Sequence, residues 1–159
     1  MLNPEAAAFL RRGRVARLAT TDASGQPHIV PIVYAFEGRN IYFALDPKPK
    51  RVAPDRLKRI RNILQNPRVA VLVDRYMERW QGLAYLLVLG RAELLSQQEW
   101  EQAHAIALLR QKYPQYRRGY PLGEDAPVVK ITPEKVVAWG PLEGTRGRPL
   151  GQAPAPPLE

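Results

Sequence analysis

The chain has 159 residues, 45% hydrophobic and 25% charged, with 24 Lys and Arg against 15 Asp and Glu, a formal net charge of +9. This is the balance of one globular domain, large enough to bury roughly two-thirds of its unfolded surface and too short for two full-sized domains. The absence of Cys excludes disulfide scaffolds, iron–sulfur clusters, thiolate zinc sites and cysteine nucleophiles, and two His without an H-E-x-x-H pattern give no basis for a protein metal site.

Asn3 before Pro4 reads as a helix start, with Glu5 to Arg12 helical, Arg11 and Arg12 at the negative end and Gly13 beyond. Residues 14–20 read as a strand closed by a turn at Asp22-Ala23-Ser24-Gly25. His28–Phe36 and Asn40–Leu45, rich in β-branched and aromatic residues, read as two strands joined by a hairpin at Glu37-Gly38-Arg39. Pro31 cannot donate to a ladder and marks an edge, a bulge or a close approach to the backbone.

Asp46-Pro47-Lys48-Pro49-Lys50-Arg51 is too rich in proline for regular structure. From Asp55 an amphipathic helix is expected, with Leu57, Ile60, Ile63 and Leu64 on one face and an end near Asn66-Pro67. Val69–Val73 and Leu83–Leu94 read as strands. Ser96 to Glu99 matches a capping box, opening a helix with Trp100, Ala103, Ile106, Ala107, Leu109 and Tyr113 on one side and stopped by Pro114. Trp100 and Trp139 read as packing residues, and His104 as structural. Val128–Trp139 is a last strand region interrupted by Pro133. The division expected is a folded domain over 1–139 and a disordered Gly/Pro-rich tail over 140–159. About six strands with inserted helices, rather than regular β-α alternation, argue for an antiparallel barrel. The longest apolar stretches fall short of the roughly 20 residues of a membrane span. The start, Met1-Leu2-Asn3-Pro4-Glu5, lacks the pattern of a signal peptide, so a cytoplasmic protein is expected.

Several segments form an ordered series: Arg17-Leu18-Ala19-Thr20-Thr21-Asp22, Pro27-His28-Ile29-Val30-Pro31-Ile32, Lys48-Pro49-Lys50-Arg51, Leu57 to Ile63, Asn66-Pro67-Arg68-Val69 and Leu72 to Tyr76. That series resembles the pyridoxamine-phosphate-oxidase-like split β-barrel proteins, in the branch that uses the deazaflavin cofactor F420. The resemblance spans roughly residues 1–139. It implies a mainly β fold, an antiparallel FMN-binding-like split barrel, and a homodimer with a cofactor in each of two grooves between barrels. By the same resemblance Val30, Pro31 and Ile32 run beside the cofactor ring. The basic pair Lys58-Arg59 binds the phosphate, with Lys50-Arg51 as second choice and Lys48 in the same basic segment.

Phosphate binding is also reasonable chemistry for this segment, where seven basic residues fall between Lys48 and Arg61. Clustered Arg and Lys near a helix start supply positive charge and donors, although charge runs are often only solvated faces. Trp80, in a loop between strands, is placed either in packing or stacked on a cofactor ring. Asp22 and Asp74 read as a turn and a strand-end residue, so no catalytic residue is assigned. That absence suits hydride chemistry, which the cofactor carries, and disfavours a hydrolase. The reading is an F420-dependent oxidoreductase acting on a small organic substrate. An FMN-binding relative, a non-catalytic cofactor-binding barrel and a basic nucleic-acid-binding barrel are the alternatives. Neither the substrate nor the direction of hydride transfer is legible.

Overall fold

The computed structural model describes residues 2–45, 57–97 and 99–143. Helix α1 (Pro4–Arg12) starts as its sequence dictates: Asn3 Oδ1 accepts from the Ala6 N–H at 2.8 Å, and Pro4 stands where no donor is needed. The Gly13 N–H bonds the Phe9 carbonyl at 3.0 Å. Gly13 is glycine for lack of room, since a Cβ there would lie 2.4 Å from the Tyr34 hydroxyl and 2.7 Å from Val73.

Seven strands follow, not six: β1 (Ala16–Thr21), β2 (Pro27–Ile32), β3 (Ala35–Glu37), β4 (Asn40–Ala44), β5 (Arg68–Arg75), β6 (Ala84–Leu94) and β7 (Val128–Trp139). Two further helices are α2 (Lys58–Gln65) and α3 (Trp100–Lys112). All strand pairs are antiparallel, in the order β2-β1-β5-β6-β7-β4-β3. The single strand expected over His28–Phe36 is thus two strands on opposite edges of the sheet, separated only by Val33 and Tyr34. Two residues span so little that the sheet must curl until its edges nearly meet. The result is a split half-barrel.

Tyr34 and Tyr113 hold that seam. Both are buried, at 0% and 6% exposure. The Tyr113 hydroxyl accepts from the Tyr34 N–H at 3.1 Å and shares its proton between the carbonyl oxygens of Arg14, at 2.8 Å, and Tyr34, at 2.9 Å. The Tyr34 hydroxyl donates to the Leu10 carbonyl at 2.7 Å. Burial pushes the pKa of both phenols upward, so they remain neutral donors.

The interrupted last strand is continuous, with the irregularity at Pro133 absorbed as a bulge opposite Gly90. A Cβ on Gly90 would stand 2.4 Å from the Thr132 carbonyl oxygen, so the close approach of strands there requires glycine. Inside the barrel, Leu18, Val71, Leu86, Val88 and Ile131 pack with Phe9 and Leu10 of α1 and Ile60 and Ile63 of α2. On the outer face, α3 covers β3, β4 and the start of β7 through Ala105, Ile106 and Leu109 against Tyr42, Ala44 and Val128.

Three local expectations are corrected. The box at Ser96 does not form, because α3 begins only at Trp100, with Glu99 at the N-cap and no side-chain cap. Trp100 is not a packing residue but 78% exposed, since α3 turns Gln102 inward, where its amide donates to the Ala126 carbonyl at 2.8 Å. In α2 Leu64 is exposed and Asn62 buried. Trp139 does pack, stacked on Tyr85 with ring centres 5.8 Å apart, and His104 is held against Glu37. The packed chain also runs past Trp139: Leu142 is 4% exposed in the core, and its carbonyl accepts from Arg12 at 2.9 Å. Among the described residues no helix is long and apolar enough to cross a membrane.

Replacing Tyr113 by Phe keeps the ring and removes the hydroxyl that satisfies the buried Tyr34 N–H. We expect Tyr113→Phe to lose about 2 kcal/mol in urea unfolding, the cost of stranding buried polar groups; an unchanged midpoint would show that the seam does not depend on this hydroxyl.

Candidate functional site

The turn after β1 is built on one carboxylate. Asp22 Oδ1 accepts from the Ser24 N–H at 2.9 Å, the Ser24 hydroxyl at 2.7 Å and the Gln26 N–H at 3.1 Å. Gly25 closes the turn at φ 84°, where a side chain would be strained. Asp22 Oδ2 takes the Lys58 ammonium at 3.0 Å. The Ser24 hydroxyl, then Lys58, then the Gln26 N–H hold the Asp22 carboxyl far below the ordinary carboxylate range. The expected turn residue therefore also anchors a cation from 36 positions away.

Helix α2 is fixed beside that turn by two amides. Asn62 donates to the Thr20 hydroxyl at 2.9 Å, with both residues buried, and Asn66 donates to the Thr21 hydroxyl at 2.8 Å. The start of α2 then lies against the end of the β1–β2 hairpin. Leu57 stands at its N-cap without a side-chain bond, and its first turn carries no acid. Instead it carries Lys58 and Arg59, both half-buried. Cations at a helix N-terminus oppose the positive end of the dipole, so this arrangement attracts an anion.

Strand β2 is the edge of the sheet. Val30 packs against the core and Ile32 is buried in it, while Pro31 and Ile29 face outward and are exposed. The edge reading of Pro31 therefore describes its place. Lys48, Lys50 and Arg51 lie outside the described residues. Trp80, in the short turn Trp80–Gly82, is 70% exposed. It is not brought to Lys58. Asp22 and Arg68 share one end of the sheet and Trp80 follows Arg75 at the other, an eight-residue β5 apart, or about 24 Å at strand rise. His28 stands opposite Thr20 on β2 and is half-buried.

Among the described residues, no helix packs on the half of the outer face formed by β1, β5, β6 and the end of β7. The register places Pro31, Arg17, Leu72, Leu87 and Val137 in one outward row, Ile29, Ala19, Ala70 and Leu89 in the next, and Tyr85 and Trp139 in a third. Arg17 pairs with Asp74 on this surface. Leu72, Leu87 and Val137 lie in continuous apolar runs of the kind that offer more apolar strand surface than one small barrel interior encloses. Among the described residues no group of three metal-ligating side chains occurs.

Residues 2–140 match the family model of pyridoxamine 5′-phosphate oxidase. No curated protein matches the chain significantly. Among solved structures it is similar to an FAD-binding protein from Mesorhizobium loti, at 27% identity over 86% of this chain and 94% of that one, with TM-score 0.64. It is similar in fold to HutZ, a heme storage protein of Vibrio cholerae, at 17% identity over 86% and 93%, with TM-score 0.67. An F420 reductase shares the fold at 21% identity over 82% and 94%, with TM-score 0.58.

Because the Asp22 carboxyl is held below its unfolded value, its contribution is complete above the unfolded pKa and is lost as pH falls through the folded one. The stability difference between wild type and Asp22→Asn is expected to be flat from neutral pH to about pH 5 and to shrink only in stronger acid. Urea unfolding at several pH values reads it, and a difference that vanishes near neutrality would place the pair's energy elsewhere.

Proposed function

Because the chain belongs to the pyridoxamine 5′-phosphate oxidase family, we propose that it is an F420-dependent oxidoreductase, a homodimer that binds its cofactor in grooves between barrels. The observation that carries this reading is the uncapped, cationic start of α2 beside the exposed edge of β2. A phosphate needs fixed donors and positive charge, and the first turn of α2 with Lys58 and Arg59 offers both. F420 carries a phosphodiester and tail carboxylates, and the sequence adds Lys48, Lys50 and Arg51 to the basic segment before α2.

The backbone of Val30, Pro31 and Ile32 positions the ring edge along β2. Pro31, without an N–H, keeps that edge from pairing with another strand and leaves it to a ligand. When bound, the cofactor supplies the hydride chemistry. The protein's part is to hold it, to orient a small organic substrate over it and to exclude water. No side chain is needed as nucleophile. FMN is the second reading, favoured by the likeness to the M. loti FAD-binding protein.

The uncovered outer face supports the homodimer. Leu72, Leu87, Val137, Tyr85 and Trp139 form a broad apolar surface of the kind that a second copy covers. Trp80 follows the end of β5 opposite the end beside Asp22, so in this reading it joins a groove containing Lys58 from the second copy.

Two outcomes test this. Spectral titration of the apoprotein is expected to show F420 binding, weakened at least tenfold by the double change Lys58→Ala with Arg59→Ala, since charge-assisted bonds contribute roughly 1.5–3 kcal/mol each. Tight FMN binding with none of F420 would overturn the cofactor assignment, and unchanged affinity in the variant would remove the phosphate from α2. Sedimentation at tens of micromolar is expected to show a dimer, and Leu87→Arg a monomer; a monomeric wild type sinks the shared groove.

A further inference from the structure

A second cationic site lies elsewhere, on α1, β3 and α3, none of which carries a residue of the proposed cofactor groove. Here Arg11, Ala35, Phe36, Leu108, Gln111 and Lys112 line a cavity of about 340 Å³. No carboxylate is among these lining residues. The Arg11 guanidinium lies 5.4 Å from the centre of the Phe36 ring. The Lys112 ammonium is buried, 4.1 Å from the centre of the Tyr34 ring and 5.6 Å from that of Tyr113, and has no hydrogen-bond acceptor among the described residues.

That is an unusual place for an ammonium ion. Aromatic faces offset part of its lost hydration, but they accept no full hydrogen bond. Arg14 adds a like charge close by, with its guanidinium 4.5 Å from the Tyr113 ring centre and its Nη1 bonded to the Lys112 carbonyl at 2.9 Å. Burial first, then Arg14, brings the Lys112 pKa down to about 8.

We propose that this cavity binds a small carboxylic acid with an apolar body, its carboxylate held between Arg11 and Lys112. The carboxylate supplies the acceptor that Lys112 lacks, and Arg11 offers it a planar donor fork. Phe36, Ala35 and Leu108 give an apolar wall for the rest of the molecule, and Gln111 lines the same cavity. A small aromatic or branched acid fits the volume. A bare phosphate would leave the apolar wall unused.

The test uses benzoate as probe and isothermal calorimetry on the full chain at neutral pH and moderate salt. Saturable binding is expected, about tenfold weaker in Lys112→Met and in Arg11→Gln and unchanged in Lys58→Ala, which separates this cavity from α2. Lys112→Met keeps the buried stem, and Arg11 is exposed on α1, so both variants should fold. Independently, benzoate is expected to slow acylation of the Lys112 amine by a limiting reagent, followed by mass spectrometry. No saturable binding at millimolar benzoate overturns the proposal, as does unchanged affinity in both variants or a loss in Lys58→Ala instead. Equal binding of inorganic phosphate with the same dependence on Arg11 and Lys112 would overturn the carboxylic-acid class.

Discussion

Everything in this fold depends on carrying the chain from one edge of a seven-stranded sheet to the other across Val33 and Tyr34, which forces the sheet to curl and leaves a seam that must be closed without a ladder. The backbone groups at such a seam have no strand partner, and burying them unpaired would cost several kcal/mol. One hydroxyl, from Tyr113 just past the end of α3, satisfies the Tyr34 N–H and shares its proton with two carbonyl groups. The consequences run outward. Tyr34 enters the core against Gly13, α1 closes one end of the barrel, and β2 is left as an edge whose residues face whatever lies outside.

The sheet has two faces with different fates. Its inner face is enclosed by α1 and α2, and half of its outer face by α3. The remaining outer half, over β1, β5, β6 and the end of β7, keeps Leu72, Leu87 and Val137 only partly covered. In Val69-Ala70-Val71-Leu72-Val73, apolar at every position, Val69, Val71 and Val73 face the core while Ala70 and Leu72 lie on the outer half without a helix. The site at the start of α2 sits at the margin of that uncovered half, which is why a shared groove is the natural reading of it.

Much of this was legible in the sequence, and the failures have physical causes. Asn3-Pro4, the Asp22 turn and the β5 and β6 runs are local signals, and local signals were sufficient for them. The break at Val33-Tyr34 has none, because Ile32 to Phe36 all suit a strand and the deciding partner, Tyr113, is 79 positions away. The face of α3 was misplaced for a similar reason. Its alanines fit either face, and a buried acceptor at Ala126 draws Gln102 inward while Trp100 turns out. At the site, the basic run pointed to α2, but the pairing of Lys58 with Asp22 could not be read from a spacing of 36 residues. Nor could the placing of Trp80 at the opposite end of β5, which follows from strand register alone.

The two cationic sites differ in what an incoming anion must overcome. Lys58 already has Asp22, so an anion at α2 competes with a carboxylate that stays ionised at any ordinary pH. The ion pair holds Lys58 in place beside the β1–β2 turn. Lys112 has no such competitor and has already lost its hydration. An anion reaching it meets a charge whose desolvation was met when the chain folded, so the attraction acts at low local dielectric and depends less on salt. A surplus of +9 spread over an exposed surface would give neither property. The fold itself makes the difference, fixing Asp22 against one lysine and leaving another among tyrosine rings.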